Sequence, residues 1–161
     1  PPDGFDESAF LNAAAEWFDI APADDDLAAR VESAPGSAIG MAVHNGGRHI
    51  LTLRDIDRKD FLGDDRTDAW RDLDVAVLHR GLFERVMGLP EGAEYFYEPR
   101  AEIALAAVAS GEKKLGFFLK GTRTEQICAC AHAGDPMPQK STYFFPKLPS
   151  GAVIHRLVED D

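Results

Sequence analysis

The chain has 161 residues, of which 45% are hydrophobic, so it is long and apolar enough to form one domain with a proper core. Its 17 lysines and arginines stand against 28 aspartates and glutamates, and the net charge of -11 repels phosphodiester backbones and anionic lipid surfaces. We therefore expect no nucleic-acid partner and no membrane partner, and no run approaches the roughly 20 apolar residues of a membrane span.

The cysteines and the start of the chain predict its compartment and its boundaries. Cys128 and Cys130 stand two positions apart in a predicted helix, where their side chains would point about 200° apart. That geometry suits neither a mutual disulfide nor a shared metal, so we predict free thiols and a reducing, cytoplasmic location. No signal peptide is visible. Because the chain begins with Pro-Pro-Asp-Gly rather than methionine, we expect residues 1–5 to be a linker remnant and residues 1–161 to be one domain of a longer protein.

The first predicted elements in chain order are two helices and a hairpin. Asp6 is the expected N-cap of a helix over residues 6–20, and a shorter helix follows over residues 24–33. Apolar residues then alternate with small or polar ones over residues 39–43 and 49–53, with an Asn-Gly-Gly turn between these two runs. This pattern predicts a β-hairpin.

The rest of the chain alternates helices with strands. After a charged stretch at residues 55–68 that is predicted to be irregular, a long helix is predicted over residues 67–87, where Gly88 and Pro90 end it. The later predicted elements are a strand over 95–97, a helix over 100–110, a strand over 115–120, a helix over 122–133 that begins with a capping box of Thr122 and Glu125, and a strand over 152–157. The order α-α-β-β-α-β-α-β-α-loop-β predicts an α/β (α+β) fold, with a mixed sheet of about five strands, the hairpin included, and helices packed on it.

His79 is the one candidate for a catalytic residue. It lies near the middle of the broad apolar arc of the helix predicted over residues 67–87. One interpretation is a general base or ligand held in an apolar wall, where burial would lower its pKa. The favoured interpretation is a core histidine that hydrogen-bonds a carbonyl or carboxylate, because no nucleophile is identifiable for it to serve. A self-sufficient hydrolase built on His79 would need an open pocket beside this helix.

Two clusters contain residue types that bind metals. Five aspartates crowd the start of the long helix, and they are Asp64, Asp65, Asp68, Asp72 and Asp74. Acids at a helix start complement the helix dipole, so a solvated helix start is favoured over a divalent-metal site. His44 and His49 flank the hairpin turn, but two histidines without a third ligand make a weak metal site. We therefore predict no metal site and no cofactor.

The most distinctive segment is residues 135–151, DPMPQKSTYFFPKLPSG. Its four prolines exclude a regular helix or a central strand, and its aromatic side chains gain free energy only by packing. Lys140, Ser141, Thr142 and Lys147 offer two cations and two hydroxyls that could hold a phosphate or a carboxylate. In the alternative, the segment is a structural strap whose aromatics pack over the sheet and whose lysines pair with nearby acids. Neither a P-loop nor a dinucleotide-binding glycine motif is present.

Three segments together resemble the C-terminal part of a bacterial and archaeal family of uncharacterised proteins, the domain-of-unknown-function family numbered 1015. They read LDVAVLHRGLFERVMGL at residues 73–89, KKLGFFLKGT at residues 113–122 and AHAGDPMPQKSTYFFPKLPSGAVI at residues 131–154. The resemblance implies a two-part protein whose N-terminal half is similar to the ParB and sulfiredoxin superfamily, which binds nucleotides and in some members transfers phosphoryl groups. The Gly-His-His-Arg motif of that half does not occur in this chain.

Two hypotheses of function follow, and they belong to different classes. In the first, the chain is the companion domain of a nucleotide-dependent, phosphoryl-transferring protein, and the loop with Lys140, Ser141 and Thr142 completes a composite site. Its partners are then the missing N-terminal domain and a small phosphorylated or carboxylated ligand, and the isolated chain is inactive. In the second, the chain is a structural or partner-binding module without a catalytic role, and the loop is a packing strap.

Overall fold

The hairpin predicted from the Asn-Gly-Gly turn lies at the centre of the sheet. The structure, a computed structural model, describes residues 5–24, 26–90, 93 and 95–142. The strands of these residues are β1 (Phe18–Pro22), β2 (Ala38–Val43), β3 (Arg48–Leu53) and β4 (Leu115–Phe118). They form one sheet in the order β1-β3-β2-β4, and each neighbouring pair is antiparallel. The fold is therefore α+β.

Helices pack on this sheet, and one of them has an unusual hydrogen-bond pattern. The helices of the described residues are α1 (Glu7–Ala14), α2 (Leu27–Ser33), α3 (Arg58–Leu62), α4 (Asp68–Arg71), α5 (Asp74–Ala76), a π-helix (Val77–Val86), α6 (Ala101–Ala109) and α7 (Thr124–His132). α5 runs directly into the π-helix, and the N–H of Met87 at its end bonds to the carbonyl five residues earlier, that of Leu82, at 2.9 Å. No helix within the described ranges is long and apolar enough to cross a membrane.

Both faces of the sheet are covered, which explains why the first five residues of β2 are all buried. Ile39 and Met41 of β2, with Leu51 of β3, belong to the core that faces α1, α3 and the π-helix. Ala38 and Ala42 belong to the core on the opposite face, against α2 and α6. Because successive side chains of a strand point to opposite faces, a strand between two packed layers is apolar throughout.

The predicted first helix is too long at its C-terminal end. α1 ends at Ala14, and the residues predicted as its last turn form the edge strand β1 instead. Phe18 stands opposite Leu53 and is fully buried. The apolar residues of this stretch fit a helical period and a strand period equally well, and the ladder to β3 decides between them.

Other predictions of the sheet are wrong or lie outside the described residues. The sheet of the described residues has four strands rather than about five, and it is antiparallel rather than mixed. Residues 95–97 do not form a strand, and residues 152–157 lie outside the described part of the chain. The stretch 55–68, predicted to be irregular, contains α3, whose N-cap Asp57 accepts a hydrogen bond from the N–H of Lys59 at 2.9 Å.

The long helix predicted over residues 67–87 is interrupted. It begins as expected with Thr67 as N-cap, but α4 ends at Arg71 and the backbone of Leu73 is extended. Leu73 is buried with Trp70 and Cys130, so packing on α7 outweighs the local preference for a continuous helix. α6, β4 and α7 are confirmed with ends shifted by one or two residues. The capping box of α7 differs from the predicted pair of Thr122 and Glu125. The N-cap of α7 is Arg123, and its N–H donates to the side chain of Gln126.

Candidate functional site

A cavity of about 260 Å³ lies where β4 ends. Residues that follow β4 and residues of the predicted loop both line it. They are Lys120, Gly121, Thr122, Lys140, Ser141 and Thr142. The structure therefore brings three of the four predicted ligand residues to one cavity and adds a second lysine. The fourth predicted ligand residue, Lys147, lies outside the described residues.

The hydroxyl groups of Ser141 and Thr122 hold the shape of this loop. The Ser141 hydroxyl donates to the carbonyl of Pro138, and the Thr122 hydroxyl donates to the carbonyl of Ser141 at 2.5 Å. Lys140 adopts a left-handed backbone conformation with φ of 60°, which makes the turn between them tight. Its side chain is exposed and, among the described residues, no carboxylate lies within ion-pair distance of it. Lys140 is thus a cation of the described part of the loop that no described carboxylate engages.

Asp135 anchors the start of the loop to the start of α4. Its carboxylate, which is 7% exposed, accepts hydrogen bonds from Arg66 Nη1 at 2.8 Å, from the Thr67 N–H at 2.8 Å and from Thr67 Oγ1 at 3.0 Å. Burial alone would raise the pKa of Asp135, but the hydrogen bonds from Thr67 and Arg66 outweigh it and hold the pKa below its usual range. The loop is therefore fixed at one end without any ligand.

A second cavity, of about 280 Å³, surrounds the carboxylate of Asp74. Its charged and hydroxyl-bearing lining consists of Glu32, Ser37, Arg58, Asp72, Lys120 and Arg123, besides Asp74 itself. Ser37 Oγ donates to Asp74 Oδ1 at 2.5 Å. Burial raises the pKa of Asp74, although the Ser37 hydrogen bond and the charges of Lys120, Arg58 and Arg123 oppose this shift. Lys120 and Gly121 line both cavities, so the two adjoin each other.

The five aspartates at the start of the long helix are not equivalent. Asp65 and Asp68 are exposed and pair with Arg80 at 2.8 Å and with Arg71 at 2.6 Å. These pairs match the prediction of a solvated helix start, but Asp74 does not, since it is half-buried and accepts a hydrogen bond from Ser37. Ser37 and Asp74 are 37 positions apart, and no local pattern in the sequence links them. Among the described residues, no three histidine, cysteine, aspartate or glutamate side chains are grouped to hold a metal ion.

The residues that line these cavities carry cations and hydroxyls, the groups that bind small anions, together with the carboxyl groups of Glu32, Asp72 and Asp74. No protein-family model, curated protein or solved structure matches this chain. The geometry of its own residues is therefore what bears on its function.

A third cleft, of about 520 Å³, lies beside His79 on the π-helix. The imidazole is half-buried, and its centroid lies 5.4 Å from the ring centroids of Phe83 and of Tyr95. Burial lowers the pKa of His79, so the ring is neutral near pH 7. No described residue hydrogen-bonds this ring, so the favoured interpretation of a hydrogen-bonded core histidine stays a prediction. Glu84 and Asp65 also line the cleft, but neither is bonded to His79 as a general-base pair would be.

His44, His49 and the two cysteines differ in their surroundings. His44 Nδ1 lies 2.9 Å from the carbonyl oxygen of Val108, and His49 Nε2 lies 2.7 Å from Glu7 Oε1. The two histidines thus serve different partners rather than a common ion. Both cysteines are free: Cys130 is buried and Cys128 is exposed.

Proposed function

We propose that this chain is the companion domain of a nucleotide-dependent, phosphoryl-transferring protein, and that its 140–142 loop contributes to a composite site for a small phosphorylated or carboxylated molecule. The family resemblance of residues 73–89, 113–122 and 131–154 supports the first part of this proposal. The second part rests on one observation, the concentration of cations around two adjoining cavities of an acidic chain.

The balance of charge in these cavities is opposite to that of the chain as a whole. Four cations line them, namely Arg58, Lys120, Arg123 and Lys140, against three acids, namely Glu32, Asp72 and Asp74. Arg58 is 3.6 Å from Asp72, and Lys120 donates to the carbonyls of Ala34 and Gly36. Lys140 and Arg123 have no such ion pair among the described residues. In a chain of net charge -11, a locally positive surface favours the binding of a small anion.

The arrangement supports half of a site rather than a complete one. The hydroxyls of Ser141 and Thr122 both donate to backbone carbonyls, so neither has a proton left for an anion. Lys140 would bind a phosphate as a point charge and Arg123 would offer one bidentate guanidinium, so these two cations alone do not reach every oxygen of a phosphate. The missing donors would come from the N-terminal half that the resemblance implies.

The proposal is tested by titrating the chain with pyrophosphate and following backbone amides by NMR. We expect the amides of Gly121 and Lys140 to shift, and Lys140→Gln to weaken binding about two- to fivefold, the effect of one exposed charge. Lys113→Gln is the matched control, since it removes the same charge from a lysine that lies 3.7 Å from Glu112 and outside both linings. Equal weakening by the two variants, or no shift at either amide, would sink the proposal.

A structural or partner-binding module is the second candidate, and the Asp135 anchor favours it. The three hydrogen bonds to Asp135 and the hydroxyl bonds of Ser141 and Thr122 hold residues 135–142, the described part of the segment, by contacts within the protein. If this is its whole role, Lys140→Gln leaves pyrophosphate binding and stability unchanged, whereas loss of the Asp135 anchor lowers stability. The buried-aromatic part of the strap hypothesis concerned Phe144, which lies outside the described residues.

A further inference from the structure

The cleft beside His79 is separate from the two cationic cavities, and none of the residues that line it lines either of them. Its volume of about 520 Å³ is within the range of small-molecule sites. We propose that this cleft binds an uncharged molecule with a planar aromatic ring. The inference depends on the aromatic surface of the cleft, on the pairing of its arginines, and on an imidazole that no described residue hydrogen-bonds. It does not depend on the anion site.

Aromatic side chains supply the apolar surface of the cleft. Tyr95, Tyr97 and Trp70 all line it, together with the ring of His79. Tyr95 is held in place from behind, because it stacks on Phe83 with 4.5 Å between centroids. Tyr97 meets Tyr95 edge-on at 6.4 Å and is 44% exposed. Rings fixed in this way offer faces and edges for stacked or edge-to-face contacts with a further ring.

Both arginines of the cleft are already paired with carboxylates. Arg80 contacts Asp65 with both terminal nitrogens at 2.8 Å, and Arg66 contacts Asp135 at 2.8 Å. Glu84 adds a further carboxylate to the lining. An anionic ligand would be repelled by these acids or would have to displace one of them from its arginine. A cationic ligand would face both guanidinium groups, so an uncharged ligand fits best.

His79 supplies a hydrogen-bonding group for such a ligand. A neutral imidazole has one N–H donor and one acceptor nitrogen, and no described residue uses either of them. The ring also lies against Phe83 and Tyr95, which fix its orientation. A ring that carries a carboxamide or a similar donor–acceptor edge therefore matches both the walls and the polar group of the cleft.

Trp70 allows the site to be tested by fluorescence. The chain has two tryptophans, and Trp17 lies elsewhere, stacked on Phe61 at 4.8 Å. In a Trp17→Phe background, Trp70 is the only tryptophan, and it reports on the cleft. The probes are benzamide, its saturated counterpart cyclohexanecarboxamide and its charged counterpart benzoate. We expect benzamide to bind about 3- to 10-fold more tightly than cyclohexanecarboxamide, as the worth of an aromatic contact implies, and benzoate to bind more weakly than benzamide.

Two variants locate the binding. Tyr95→Leu keeps apolar volume but removes the ring, so it should abolish the preference for benzamide. Phe96→Leu is the control, since Phe96 is a neighbouring aromatic that is 65% exposed and outside the lining. Circular dichroism checks the fold, and if Tyr95→Leu does not fold, Tyr97→Leu is expected to lower the preference in the same way. The inference would be overturned if benzamide and cyclohexanecarboxamide gave equal responses or none, or if benzoate bound more tightly than benzamide. It would also be overturned if Tyr97→Leu and Phe96→Leu had equal effects.

Discussion

Gly81, on the π-helix between His79 and Phe83, is where one added methyl group should do most harm. A Cβ atom built on this glycine would lie 2.4 Å from Cε1 and 2.5 Å from Cζ of Phe61. Carbon atoms in contact are ordinarily about 3.5–4.0 Å apart, so the ring would have to move by about 1 Å. Phe61 is 1% exposed, stacks on Trp17 at 4.8 Å and meets Phe18 edge-on at 5.7 Å, which leaves it no room.

The expected cost of Gly81→Ala follows from two opposing effects. Overpacking a close-packed core costs about 1–3 kcal/mol, and the severity of this overlap indicates the upper end. Alanine in a helix is better than glycine by about 1 kcal/mol, which offsets part of that cost. We therefore expect a net loss of about 2 kcal/mol in the free energy of unfolding, or a fall in Tm of roughly 4–8 °C for a domain of this length.

Chemical and thermal unfolding of four variants test this reasoning. Phe61→Leu alone loses packing, but in its presence Gly81→Ala should become neutral or stabilising, because the overlapping ring is gone. Gly121→Ala is the control for a glycine change without overlap, since no described atom lies within 4 Å of its added methyl group, and its effect should stay within about 0.5 kcal/mol. If Gly81→Ala stabilised the protein, or if its cost persisted unchanged with Phe61→Leu, the overlap would not be the cause.

Two further predictions concern the carboxylates with shifted pKa values. Asp135→Asn should cost about 2 kcal/mol at pH 7, the worth of a hydrogen bond to a charged group. Because the pKa of Asp135 is lowered in the folded protein, this stability is present at neutral pH and is lost as the pH falls through that pKa. Urea titrations should therefore show the difference in unfolding free energy between the variant and wild type disappearing in acid. A difference that did not depend on pH would contradict the assignment. Asp74→Asn should have the opposite sign, because burial raises the pKa of Asp74 and ionisation therefore destabilises the fold at higher pH. The variant, whose amide oxygen can still accept from Ser37, should be more stable than wild type at pH 7 and lose that advantage at low pH; a destabilised variant at pH 7 would refute it.

Sequence patterns predicted those elements whose hydrogen bonds join residues close together in the chain. The β2–β3 hairpin depends on alternation within each strand and on a turn that allows the positive φ of Asn45, and all of this is visible within 16 residues. α6 and α7 depend on helical periodicity and flanking breakers. The sequence pattern did not predict β1, because its pairing with β3 joins residues about 30 positions apart. It predicted the long helix as unbroken, because the burial of Leu73 on α7 has no local signal in the sequence.

The same distinction applies to the candidate sites. Lys140, Ser141 and Thr142 are adjacent in sequence, so residue types alone could mark them as one group. The pairing of Ser37 with Asp74, and the meeting of His79 with Tyr95 and the start of the proline-rich loop, arise only when distant elements pack together. A sequence pattern therefore predicted one group of residues that line the two adjoining cavities, and tertiary structure was needed to find the others.

The order of the strands also has a consequence for the growing chain. β1, β2 and β3 all lie within residues 18–53, whereas β4 begins only at residue 115 and pairs with the outer edge of β2. At a synthesis rate of about 5–20 residues per second, roughly 3–12 s pass between the completion of these three strands and the appearance of β4. During that interval the edge of β2 from Gly40 to Val43 has no partner in the sheet, and an unpaired apolar edge is a template for pairing with other chains. Slower translation of residues 54–114 would therefore be expected to lower the yield of folded protein without any change to the finished structure.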